Sequence, residues 1–271
     1  VEEGGGPARA ARAVADAVSR LLGSAGTGGG AVAGVLRDVV SAVAAAGSRR
    51  GPSSAAGTGA GLDGGEVRGE PGRTPAAVLG DVLAAAAPRL PIRDRERLRE
   101  AYPGASDEEI GDALVARAGR LTAGIGAATG GLSAAQWLAP PSLLALPIEL
   151  GAETLLTAAV EVVLVGELHE LYGRPAPGDA RERAGGYLAA WSEQRAVDGT
   201  TGSIVAVLGT AGLRALRRRL GRRLARSVGS AAPFLVGAAL GGRGNRRATE
   251  TLAERVRTDL RRGRPPGGGH D

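Results

Sequence analysis

Cysteine and methionine are absent, and so is lysine, so that all 34 basic residues are arginine. Without cysteine there can be no disulfide framework, thiolate zinc site, iron–sulfur ligation or cysteine nucleophile. Aromatic residues make up only 2% of the chain, which leaves alanine, leucine and valine to form any core. These favour helices packed closely through small side chains. Histidine is nearly missing as well. Only His169 and His270 are present, and His270 lies in a Gly/Pro-rich end. A serine–histidine–acid arrangement would have to use His169, and no G-x-S-x-G elbow accompanies it. The sequence offers no catalytic residue.

The chain has 46 glycines, abundant alanine and arginine as its sole base, a bias of the kind GC-rich coding sequences such as those of actinobacteria produce. That bias lowers the weight of any single arginine. The net charge of +6 is unevenly distributed. Acids outnumber arginines from Glu149 to Asp198, whereas no acid occurs from Gly199 to Arg247.

Along its length the chain reads as all-α, an irregular helical bundle with glycine-rich apolar helices, because no stretch sustains period-two alternation. Residues 1–73 read as a mobile, low-complexity arm. Two weak helices at 7–22 and 31–46 precede a Gly/Ser/Pro stretch too poor in bulky apolar residues to offset its ordering entropy. The first residues are acidic and glycine-rich, unlike a signal peptide. A helical domain is expected over 74–262, with a disordered tail at 263–271.

Thr74-Pro75 opens a helix that Pro88 and Pro91 end. Ser106 with Glu109 matches a capping box ahead of a long helix. From Leu121 to Ile148 there is no charge, but glycines and prolines interrupt the run. The expectation is therefore a helix ending near Leu138, a proline turn and a second helix, and not a membrane span. That second helix ends at Gly173-Arg174-Pro175, and Asp179 with Glu182 starts the next. A long helix from Ile204 turns arginine-rich at Arg214. A glycine-rich apolar element follows over 227–242, and Asn245 reads as the N-cap of a last helix.

Two constellations could carry chemistry. Glu149, Glu153, Glu161, Glu167, His169 and Glu170 share one apolar helix, with Glu149, Glu153 and Glu167 within about 40° of one another. Carboxylates so placed can hold a hard cation, but Gly166 stands where a Glu-x-x-His di-iron motif needs glutamate. A solvated or salt-bridged stripe on an otherwise buried helix is the plainer reading, with no metal or cofactor. The second constellation is Arg214, Arg217, Arg218, Arg219, Arg222, Arg223 and Arg226, which surround a narrow stripe of leucines. They can meet an anionic membrane surface, nucleic-acid phosphates, or the acidic helix of the same chain. No aromatic platform or helix-turn-helix supports specific nucleic-acid readout. Gly126-x-x-x-Gly130 and Gly237-x-x-x-Gly241 lack the Lys-Ser/Thr of a phosphate loop and read as close helix packing.

Residues 141–173, PSLLALPIELGAETLLTAAVEVVLVGELHELYG, and residues 233–245, PFLVGAALGGRGN, together resemble the bacterial EcsC-like family. The likeness spans roughly the C-terminal two-thirds of the chain. It implies a helical, membrane-associated bacterial protein without an established catalytic residue, and no site residue carries over. The expected function is a non-enzymatic accessory or scaffold protein, cytoplasmic and peripheral at the inner membrane face. The alternatives are a soluble helical protein–protein interaction module and a carboxylate-based metal-binding protein. A protein partner is expected beside the anionic membrane surface.

Overall fold

Start and stop signals in the sequence set most of the helix ends. The computed structural model describes residues 6–23, 29–48, 75–136, 146–197 and 232–263. Among these, α1 is Gly6–Gly23, α2 Gly29–Ser48, α3 Pro75–Ala86, α4 Arg95–Ala101, α5 Asp107–Gln136, α6 Leu146–Leu171, α7 Ala180–Val197 and α8 Ala232–Arg262, with no strand. The chain is an all-α bundle.

A single 3₁₀ turn at Ala87–Arg89 follows α3, as Pro88 dictates. The Ser106 hydroxyl accepts from the Glu109 amide at 3.3 Å, and the Glu109 carboxylate accepts from the Ser106 amide at 2.8 Å, closing the capping box on α5. Asp179 and Glu182 do the same for α7, at 2.9 and 2.8 Å. Gly173, at φ +67°, reverses the chain after α6.

Helix α6 is the axis of the bundle. From Gly151 to Leu171 only Glu153, Thr154 and Thr157 are less than fully buried. Helix α5 runs antiparallel to α8. Glu108 meets Arg257 and Arg261 at one end, Thr122 meets Thr249 in the middle, and Gly126 meets Gly241 beyond it. Helix α6 runs parallel to α8, since Glu153 reaches Asn245 and Glu161 reaches Thr249. The C-terminus of α5 and the N-termini of α6 and α8 therefore share one end of the bundle.

Two sequence expectations are corrected here. Residues 1–73 are not wholly a mobile arm, because α1 and α2 belong to the common core. Val14, Val18, Leu21, Val32, Leu36 and Val39 are buried in the same cluster as Leu155, Leu156 and Leu168. The alanine faces of both helices, too small to form a core alone, bury well against α3, α5 and α6. Residues 49–74, with most of the Gly/Ser/Pro stretch read over 47–73 and the N-cap expected at Thr74, lie outside the described residues, as do residues 137–145, where a proline turn is expected, the run 198–231 and the tail from 264. Asn245 is also not an N-cap. Helix α8 is continuous from Ala232 and carries Asn245 in its interior, where the side chain turns toward Glu153.

The glycines read as close-packing positions, Gly126 and Gly241, are what let α8 touch α5. A methyl group on Gly126 would stand 2.6 Å from the Gly241 carbonyl oxygen, and one on Gly241 would collide with the Gly126 carbonyl oxygen. Backbone faces backbone there, so no rotamer change can relieve the clash. Gly241→Ala is expected to destabilise the fold by about 1–3 kcal/mol. Gly244, three residues on, has nothing within 4 Å of a built Cβ, and Gly244→Ala should stabilise by about 0.4–1 kcal/mol. Paired thermal melts of the two variants check the opposite signs.

Candidate functional site: the carboxylates buried on helix α6

A helix buried on all sides cannot leave carboxylates unpaired, because an uncompensated charge in the interior costs several kcal/mol. The neighbours of α6 supply a separate partner for each. Glu167, 2% exposed, receives a two-pronged bond from Arg93, at 2.6 Å from Nε and 3.2 Å from the second nitrogen. Glu161, 1% exposed, takes Arg195 in the same bidentate manner. It also accepts from Trp191 Nε1 at 2.9 Å and from the Thr249 hydroxyl at 2.8 Å. All four acceptor directions of Glu161 are thus filled. Glu170 accepts from the Tyr187 hydroxyl at 2.7 Å and from Arg183 at 3.1 Å. Burial together with this carboxylate pushes the Tyr187 hydroxyl pKa up, keeping it a donor.

Glu153 differs. Its described partner is the Asn245 amide, which donates at 3.0 Å. Burial raises its pKa, while the Asn245 and Thr129 side chains act in the opposite direction. His169 is 5% exposed, and its Nδ1 lies 3.2 Å from the Arg174 carbonyl oxygen. Burial lowers its pKa, which favours the neutral imidazole. Its ring packs against Tyr187 with centroids 5.7 Å apart.

The stripe read from the sequence is therefore salt-bridged but not solvated. The five described groups do not converge on one point, although Glu161, His169 and Glu170 all meet side chains of α7. Among the described residues no group of three or more histidine or acidic side chains is placed to hold a metal ion. The side chain of Glu149 and the residues Arg214, Arg217, Arg218, Arg219, Arg222, Arg223 and Arg226 lie outside the described residues. Gly166 is explained by packing. A Cβ there would stand 2.8 Å from Ile92 and 2.9 Å from Tyr187, so the position excludes the glutamate of a di-iron motif.

Sequence reasoning missed the partners. Arg183, Tyr187, Trp191 and Arg195 follow one another at intervals of four on α7, a spacing that places them on one face. That mixed cationic and aromatic stripe was the available signal for a buried acidic counterpart. Arg93, in the loop before α4, had no periodic signal. Comparison with family models, with curated proteins and with solved structures finds no match to this chain.

Proposed function

We propose that the protein is a non-enzymatic accessory or scaffold protein that works at an anionic membrane surface, with the arginines between Arg214 and Arg226 as its main cationic contact. The observation that supports this most is where the acidic charge of α6 is used. Glu161, Glu167 and Glu170 are matched by Arg195, Arg93 and Arg183. Of the three α6 carboxylates that could neutralise the arginine run, Glu149, Glu153 and Glu161, the last has no acceptor direction left for it. No helix of the described residues is long and apolar enough to cross a membrane, which is compatible with peripheral attachment. The likeness to EcsC-like proteins points the same way.

Each arginine near an anionic surface adds on the order of 1 kcal/mol of attraction, and salt screens it. Replacing Arg217, Arg218, Arg222 and Arg223 by glutamine should reduce partitioning onto phosphatidylglycerol vesicles by on the order of 1000-fold at low salt. Stability should change little, because exposed arginines contribute weakly to folding. Co-sedimentation at low and high salt measures the first, and thermal melts measure the second. Wild-type protein that fails to bind at low salt removes this reading and leaves a soluble helical interaction module.

A further inference from the structure

The bundle has a polar end and an end where α5 and α8 carry no charge and the first turn of α6 brings a single acid, Glu149. Helix α5 has no charged residue after Arg120, and α8 has none before Arg243. The antiparallel register brings those two limits to one level, since Gly119 packs against Arg246 and Gly126 against Gly241. Beyond that level α5 continues for 16 residues and α8 begins with 11 uncharged ones. At about 1.5 Å per residue these extend roughly 24 and 16 Å. At the boundary Arg120, Arg243 and Arg247 are exposed, and none makes an ion pair among the described residues. Leu240, one turn nearer the uncharged end, is 59% exposed and the most exposed large apolar side chain described.

An isolated exposed leucine has no meaning by itself. Its position between an arginine belt and an uncharged helix end is the arrangement that a lipid interface rewards, with apolar groups below the phosphates and guanidinium groups at them. We infer that this end of the α5–α8 pair is the membrane-contacting end, with Arg120, Arg243 and Arg247 at the headgroup level and Leu240 among the acyl chains of an anionic bilayer. The inference rests on the membrane reading above and adds an orientation, with the bundle standing end-on. It also agrees with the chain path. Arg226 is separated from the first residue of α8 by residues 227–231, a length that spans at most about 20 Å.

Two measurements on the full chain test it. In Leu240→Trp, emission should shift to the blue on adding phosphatidylglycerol vesicles, beyond any shift of the wild-type Trp137 and Trp191, and brominated acyl chains should quench it. The triple variant Arg120→Gln, Arg243→Gln, Arg247→Gln should bind about 100-fold more weakly at low salt, with an unchanged melting temperature. Wild-type binding with no added shift in the Leu240→Trp variant, or a triple variant that binds like wild type, overturns this end-on contact while leaving the arginine run as the anchor. Wild-type protein that ignores vesicles but is retained by duplex DNA overturns both and makes the belt a phosphate contact of another kind.

Discussion

Removing residues 1–48 is expected to abolish cooperative folding of everything that follows. Helices α1 and α2 bury Val14, Val18, Leu21, Val32, Val35, Leu36 and Val39 in the shared core. Each side chain of this kind contributes about 1.5–3 kcal/mol when fully buried, so their sum is comparable to the roughly 5–15 kcal/mol that separates a folded domain from its unfolded chain. The loss is two-sided, because the faces of α3, α5 and α6 that these helices cover become exposed. A polar tether is lost too, since Arg117 donates to the Leu22 carbonyl at the end of α1. The truncated chain should bind a hydrophobic dye, keep much of its helical circular dichroism and melt without a defined transition. Residues 1–48 supplied as a separate chain should restore the transition. A truncated protein that melts as sharply as the full chain would return α1 and α2 to the status of an arm.

Glu161→Ala is expected to cost about 3–5 kcal/mol, the range for removing one partner of a buried ion pair. The Arg195 side chain is 11% exposed and would be left without its carboxylate. Trp191 Nε1 and the Thr249 hydroxyl lose their acceptor in the same substitution. Glu161→Leu combined with Arg195→Met should recover much of the loss, because an apolar pair removes both charges at once. Denaturant titration of the single and double variants measures the difference. A single variant within about 1 kcal/mol of wild type would mean that water reaches Arg195, and that the pair is not the polar centre of the α6–α7–α8 seam.

The helical fold was legible because its signals are local. Ser106 and Glu109, Asp179 and Glu182, Pro88 and Gly173 each act within a few residues, and each lies where the pattern placed it. What escaped depends on partners far along the chain. Residues 1–48 look weak in isolation because alanine and valine stripes gain their value only against α5 and α6. Gly126 and Gly241 were legible as small residues for close helix packing, but not as each other's partners, since they lie more than a hundred residues apart. The glutamates of α6 were recognisable as an acidic set, but no sequence rule assigned Arg93 to Glu167 across 74 positions. The arginine run was legible as composition alone, and its seven members lie outside the described residues.

The position of α8 also bears on how the chain is made. Thr249, which completes the hydrogen bonding of Glu161, follows it by 88 residues. At about 5–20 residues per second, a ribosome needs roughly 4–18 s to deliver the one after the other. Through that interval the nascent α5 and α6 have no α8 to cover them, and a carboxylate destined for the interior stays wet. The face that α8 covers can close only when this last helix arrives, so a chaperone that holds apolar nascent helices has its longest opportunity there.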